Sequence, residues 1–418
     1  MTTQPSKPDP TADAPRTPTP WGVVILLGSL TAIGALSIDM YLPSLPSIDA
    51  DFQARSGAAQ ATLASFFSGL AVGQFFYGPA SDRWGRRTPL FVGMSLYVAA
   101  SIWCALAPSL ESLVVARFFQ ALGGCAGQVI VRAIVRDRFG HRQSARILSQ
   151  LMLVIGLAPI LAPLAGGALL SLGGWRVIFG ILAVFGCVIG VWVFLTLRES
   201  RSPATAAQAR SEHPVSAYLA LLRQRTLVGY CLAGALNSAA LFAYIAASPS
   251  LLIQTYHIPA TAFGWVFGAN AIGLIGMSQV NAHLLHRHTP EAILIRSRAT
   301  SILFAVILAV DAFSGFGGMW GVLVPLFFVI ASFGLVGANT QAAGLNVDAL
   351  RAGSISAMMG GASFGAGAAA SGLTTLLATA WPNGGARPMA AVILIAILAS
   401  SAALYGLARP RLEWKGRD

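Results

Sequence analysis

Lysine is almost missing from this chain: Lys7 and Lys415 are its two, both near the ends of the sequence. Its body therefore offers no lysine to nucleotide phosphates, and ATP-driven work within the chain is not expected. Charge of either sign is scarce, at 10% of residues against about 25% in an ordinary soluble domain. The four cysteines, Cys104, Cys125, Cys187 and Cys231, fall in apolar runs without CxxC or Cys/His spacing, which reads as small buried hydrophobes. None of the six histidines lies well inside an apolar run, and His283, His286 and His288 cluster without H-E-x-x-H spacing, so no metal and no cofactor is expected. What the chain has in plenty is apolar, with 56% hydrophobic residues and a mean hydropathy of +0.69. That is a membrane protein, with the lipid bilayer as its surroundings. The net charge of +12 would suit nucleic acid only if the basic residues gathered on one exposed face. They are spread through the gaps between apolar runs, so no nucleic-acid partner is expected.

A spanning helix needs roughly 20 apolar residues, and twelve can be laid down: 21–43, 58–80, 89–107, 112–136, 145–170, 176–197, 226–249, 261–284, 291–311, 320–342, 353–379 and 388–408. Arginine in the short loops sets their orientation. With a cytoplasmic N-terminus, that side receives Arg83, Arg86, Arg87, Arg136, Arg138, Arg142 and Arg146. Further along it takes Arg198, Arg201, Arg210, Arg223, Arg225, Arg287, Arg296, Arg298, Arg351 and the stretch from Arg409 to Arg417. The other side receives Arg55, Arg176 and Arg387. Both termini are thus expected in the cytoplasm.

The longest polar interruption, Arg198 to Arg225, divides the spans six and six. The expected fold is an all-α membrane protein of twelve transmembrane helices in two six-helix pseudo-repeat bundles. The expected division is a disordered cytoplasmic tail 1–20 without the apolar core of a signal peptide, a bundle 21–197, a cytoplasmic linker 198–225, a bundle 226–408 and a second tail 409–418. Duplicated bundles around a midplane site are a transporter's architecture, with a small molecule as cargo and a monomer as the working unit. Small-xxx-small pairs, Gly69/Gly73, Gly123/Gly127, Gly186/Gly190, Gly264/Gly268 and Gly361/Gly365, let helices approach closely.

The stretch GPASDRWGRRTPL, Gly78 to Leu90, puts Asp82, Arg83, Arg86 and Arg87 in the turn between spans two and three. Topology accounts for the arginines. Asp82 is expected to cap a helix end or pair with an arginine, while Gly78 and Gly85 permit close approach to a neighbouring helix end. Asp39, in SIDMYLPSLP, is the acidic residue lying well inside a span, which makes it a candidate functional site. At 1.5 Å per residue from Trp21 it lies about 27 Å along, near the far edge of a hydrocarbon core of roughly 30 Å, so an interfacial helix-end role stands as the alternative. Arg117 and Gln120 share a face of span four, and Asp39 is the expected partner of Arg117, the pair forming a proton-coupling site. At the inner end of that span Arg132 and Arg136 read as topology and dipole partners. In span five, GLAPILAPLAGG, Pro159 and Pro163 should kink the helix and Gly166 and Gly167 thin it. Tyr41, Gln120, Asn237, Tyr244 and Asn339 are candidate cavity liners, with Gln74, Gln128, Asn270 and Gln341; each serves equally as interhelical glue.

The pattern G-x3-D-R-x-G-R-R resembles the signature loop of the major facilitator superfamily, where the loop latches the two halves on the cytoplasmic side. Asp82, Arg83, Gly85, Arg86 and Arg87 stand at its positions. RFFQALGG resembles the span-four motif in which Arg117 serves proton coupling. The proline-glycine run resembles the antiporter motif of superfamily exporters, with Ala162 where that motif commonly has glycine. Together with IDMYLPSLP, RAIVRDRF and RAGSISAMMGG, these look like the Bcr/CflA branch of multidrug exporters. The resemblance implies a proton-driven exporter of the bacterial inner membrane, acting on compounds such as chloramphenicol or bicyclomycin.

An enzyme is not expected. The match of GASFG, Gly361 to Gly365, to G-x-S-x-G sits in an apolar helical span rather than a strand-to-helix elbow. A channel would need repeated charged or carbonyl rings, which the spans lack. The alternative that stays open is a uniporter or importer of an endogenous metabolite on the same fold.

Overall fold

The computed structural model describes residues 21–201, 214–348, 351–381 and 384–410, whose regular structure is helical with no strand. The expected tail 1–20, residues 411–418 of the expected tail 409–418, and the middle of the expected linker, 202–213, lie outside the described residues. Four long helices come first: α1 Trp21–Asp39, α2 Ala61–Trp84, α3 Arg87–Ala105 and α4 Leu110–Arg138. The run His141–Thr196 is helical except at Gly173 and Gly174, so it makes two helices, α5 (141–172) and α6 (175–196). Gly174 has φ +75°, a left-handed backbone that glycine adopts without cost. Then follow α7 Arg225–Pro249, α8 Ala260–Leu284, α9 Pro290–Ser314, α10 Gly318–Leu345, α11 Ala352–Ala380 and α12 Arg387–Ala403. Each of the twelve expected spans meets one of these helices.

Local chemistry sets the ends. Pro43 and Pro46 cannot donate a backbone hydrogen bond, and beyond α1 the chain passes into a 3-10 turn, Leu42–Ser44, and a short helix, Leu45–Asp51. Ser109 accepts from Ser112 N at 3.2 Å and starts α4; Thr289 accepts from Ala292 N at 3.3 Å and starts α9, with Pro290 at its first position. One expectation changes here. α2 runs on through Pro79 to Trp84, so Gly78 to Arg83 are helical and the connection itself is Gly85 and Arg86. α5 stays helical through Pro159 and Pro163, and the break at Gly173 and Gly174 falls between the expected spans 145–170 and 176–197.

α2 packs on α4, and α3 packs on the other side of α4. Across the two sets of six, α2 meets α11 and α5 meets α8. Nine segments among the described residues are long and apolar enough to cross a membrane by composition, the α5–α6 run counting as one. α2 and α11 are the two helices that miss this measure, and their mutual contact explains it. A helix that faces protein between two bundles is released from being apolar all round.

The arginine-poor end is closed. Gln60 donates to Ser250 Oγ at 2.6 Å and accepts from Thr375 Oγ1 at 3.2 Å, and Ser56 donates to Gln254 Oε1 at 2.7 Å. Each bond joins the first six helices to the last six. Beneath them the Phe67 and Phe242 rings lie 4.3 Å apart across the same division, with Phe364 5.7 Å from Phe242.

Candidate functional site

At the arginine-rich end, the charged motif is organised around Arg86, which is 1% exposed. Its Nε donates to Asp137 at 2.8 Å and its Nη1 to Asp82 at 2.5 Å and Ser81 Oγ at 2.8 Å. Asp82 lies in the last turn of α2, and the backbone turn at Gly85, φ +90°, lets Arg86 in the connection reach back to it. A buried guanidinium is tolerable with two carboxylates about it, and removing either leaves charge uncompensated. Arg87 reaches Phe194 O at 2.7 Å and lies over its ring at 5.2 Å. Arg83 keeps its carbonyl on Arg201 Nη1 at 2.6 Å.

Glu199, which the sequence reading passed over, holds the connection. Its carboxylate accepts from the backbone N–H of Arg86 at 2.9 Å, Arg87 at 3.2 Å, Ser200 at 3.0 Å and Arg201 at 2.9 Å. Arg86 and Arg87 open α3, so an anion there meets unpaired N–H groups and the positive end of the helix dipole. Gly85, at φ +90°, has no room for a Cβ, which would collide with Glu199 Oε2. Gly78 differs from expectation: nothing lies within 4 Å of a Cβ built there, so it makes no close approach.

Near the closed end, Arg117 is fully buried in α4 without the expected partner. Its Nη2 donates to Ser37 O at 2.9 Å and its Nη1 to Gln120 Oε1 at 2.5 Å, while its Nε has no acceptor among the described residues. The carbon of the guanidinium lies 4.0 Å from the Phe66 ring centre, 4.3 Å from Tyr41 and 5.5 Å from Phe179. The physical reason is local. Ser37 O is among the last four carbonyls of α1, which have no intrahelical donor, and three aromatic faces supply attraction where water is excluded. Asp39, the last residue of α1, is 4% exposed and joins no ion pair or hydrogen bond among the described residues. It lies within electrostatic reach of Tyr244 on α7.

The α5 glycines pack where these elements meet. A Cβ on Gly166 would collide with Met40 O, next to Asp39, and one on Gly167 would stand 2.8 Å from Ala260 O at the start of α8. α5 is thereby pressed against both sets of six helices. Pro163 and Pro159 lie about one and two turns before Gly166 in the same helix.

The other candidates are occupied by protein. Tyr41 shares a 2.7 Å hydrogen bond with Thr62, Gln120 donates to Ser101 Oγ at 2.8 Å, and Tyr244 accepts from Asn270 Nδ2 at 3.0 Å. Asn339 donates to Asn281 Oδ1 at 2.6 Å. Asn237 Oδ1 accepts from Arg298 at 3.3 Å. Arg298 itself corrects the loop count: it is fully buried in α9, donating also to Ser400 Oγ at 2.7 Å. Of the cysteines, Cys104, Cys125 and Cys231 are buried and Cys187 is exposed on α6.

Comparison with known proteins agrees with this arrangement. Residues 27–372 match the family model described as Major Facilitator Superfamily. The MFS-type transporter YdgK of Bacillus subtilis is 31% identical over 93% of this chain and 96% of its own length. The bicyclomycin resistance protein homolog of Haemophilus influenzae is 27% identical over 94% and 98%, and the multidrug resistance protein MdtL of Shigella dysenteriae 27% identical over 79% and 83%. Among solved structures, a D-xylose-proton symporter superposes with TM-score 0.72 at 15% identity over 94% of this chain and 99% of its own. A bacterial homolog of the lysosomal transporter Spinster, inward-facing and unoccupied, superposes with 0.71 at 17% over 94% and 100%. A family model covering most of the chain and a relative matched almost end to end establish what the helices outline: the chain belongs to the major facilitator superfamily of membrane transporters, not enzymes.

Proposed function

We propose that this protein exports small drug-like compounds from the cytoplasm of a bacterium in exchange for protons, by alternating access across the inner membrane. Asp39 carries the reading: a buried carboxyl free of ion pairs among the described residues, next to the Gly166 contact of α5 and within reach of Tyr244 on α7. A group at the junction of two rocking bundles changes surroundings with each cycle, which is what coupling to a proton requires. The names of the Haemophilus and Shigella relatives support drug export. With the arginine-rich end in the cytoplasm, Gln60 and the Phe67–Phe242 contact seal the outside while cargo enters from within. Arg117, held by the aromatic rings, waits for Asp39 in the opposite state. Each charge moved down 100 mV supplies about 2.3 kcal/mol, enough for roughly a 50-fold gradient.

The test uses energised inverted vesicles with a dye reporting their proton gradient, and a panel of amphenicols, bicyclomycin and cationic dyes. The expected outcome is proton release on adding a transported compound, lost in Asp39→Asn. Transport that proceeds without proton movement would overturn the exchange.

A further inference from the structure

The charges inside the bundle do not balance. Every carboxylate among the described residues sits in a terminal helical turn or a connection, Asp39 included. Arg117, Arg132 and Arg298 are among the arginines that lie more than a turn inside their helices, and none of the three has a carboxylate partner among the described residues. Arg117 and Arg298 are fully buried and committed to neutral acceptors. Arg132 differs, because it is exposed. Its Nε donates to Gln128 O at 3.1 Å, and its two amino groups have no acceptor among the described residues.

The packing of α4 fixes where Arg132 points. Gly127 and Gln128 lie against Leu30 and Gly34 of α1, Cys125 against Gly73 of α2, and Gly123 against Tyr97 of α3. Residue 132 is one turn beyond Gln128 and nearly two beyond Cys125, so its side chain lies over the seam of α1 and α2, away from α3. A guanidinium facing lipid at that depth is disfavoured; one facing the seam between α1 and α2 escapes that and keeps its amino donors free.

We propose that the cargo carries a compact negative group, a carboxylate or similar oxyanion, and that the two amino groups of Arg132 receive it on the way in. This rests on the export reading and narrows its cargo. An enclosed surface of one sign concentrates ligands of the other, and a planar guanidinium fits a carboxylate with two parallel hydrogen bonds. A lipophilic cation finds no carboxylate along the same face of α4. Outward passage of an anion in exchange for an incoming proton also moves charge the same way at both steps, so the membrane potential favours each.

The test is equilibrium binding to the purified full chain in detergent, with three matched probe pairs: benzoate and benzamide, 4-nitrobenzoate and 4-nitrobenzamide, 1-naphthoate and 1-naphthamide. Tetraphenylphosphonium is the cationic comparison. The expected result is a carboxylate preference of about tenfold or more in at least one pair. Arg132→Gln should reduce that ratio to about one, and Arg132→Lys should keep part of it; ligand-free melting of both variants checks the fold. No preference in any pair, a preference that survives Arg132→Gln, or tightest binding of tetraphenylphosphonium overturns the proposal. Binding in detergent needs no proton gradient. A failure of Asp39→Asn to abolish proton release would therefore leave the anion site standing, and a missing carboxylate preference would leave the exchange standing.

Discussion

Arg86 places three of its five donors on Asp82, Asp137 and Ser81, while its Nη2 is buried with no acceptor among the described residues. Glu199 completes the arrangement from the other side of the connection. Burial raises its carboxyl, and the backbone N–H groups of Arg86, Arg201, Arg87 and Ser200 outweigh that, holding it below the ordinary carboxylate range. A folded-state value below the unfolded one means the stability is complete above the ordinary glutamate value of about 4.3 and drains as pH falls beneath it. Melting of wild type and Glu199→Gln from pH 7 to pH 3 should therefore show a gap at neutral pH that closes on acidification. A gap unchanged at pH 3 would remove the carboxylate from the account. The loop's own residues were legible because their spacing is a pattern. Glu199 was not, since its role comes from a chain reversal that brings residue 199 to residues 86 and 87, and a lone acid among arginines carries no local signal.

Between elements, the closed end depends on few hydrogen bonds. Gln60 makes two of the three that join the halves there, to the π turn Ser250–Thr255 that follows Pro249 and to Thr375 of α11. At about 1 kcal/mol each, losing both shifts the closed–open balance by about 2 kcal/mol, roughly 30-fold. Spin labels at Arg55→Cys and Thr255→Cys in a background freed of native cysteines should report a short separation, with Gln60→Leu populating a longer one. An unchanged distance distribution would assign the closure to the aromatic contacts instead. The sequence offered no sign of this: Gln60 lies at the edge of an expected span, and polar residues there are ordinary. The surroundings of Arg117 were not legible for a related reason. Depth along the helices brought Asp39 to its level, but depth says nothing about the Phe66, Tyr41 and Phe179 rings, which come from three different elements.

Over the whole molecule, the twelve helices and their six-and-six grouping followed from apolar runs and one long interruption, signals that need no tertiary knowledge. Arginine counting gives the expected sidedness, and the structure departs from that count at Arg298, which it buries among α7, α9 and α12. The expected sidedness has a direct check. In intact cells a membrane-impermeant maleimide should label Arg55→Cys and spare Arg287→Cys, both exposed positions, with the reverse in inverted vesicles. Labelling of Arg287→Cys from outside would invert the topology and place the Gln60 contacts on the cytoplasmic side.

The aromatic enclosure of Arg117 also bears on how the chain is made. Alone, α4 would carry two guanidiniums into lipid, each opposing insertion by about 2.5–3.5 kcal/mol at the centre of a helix. Most of what relieves Arg117, namely Ser37 O, Tyr41 and Phe66, is synthesised before it. The fourth helix is thus a dependent passenger during biogenesis, entering the bilayer against helices already waiting there, and the order of synthesis is part of what makes its buried charge admissible.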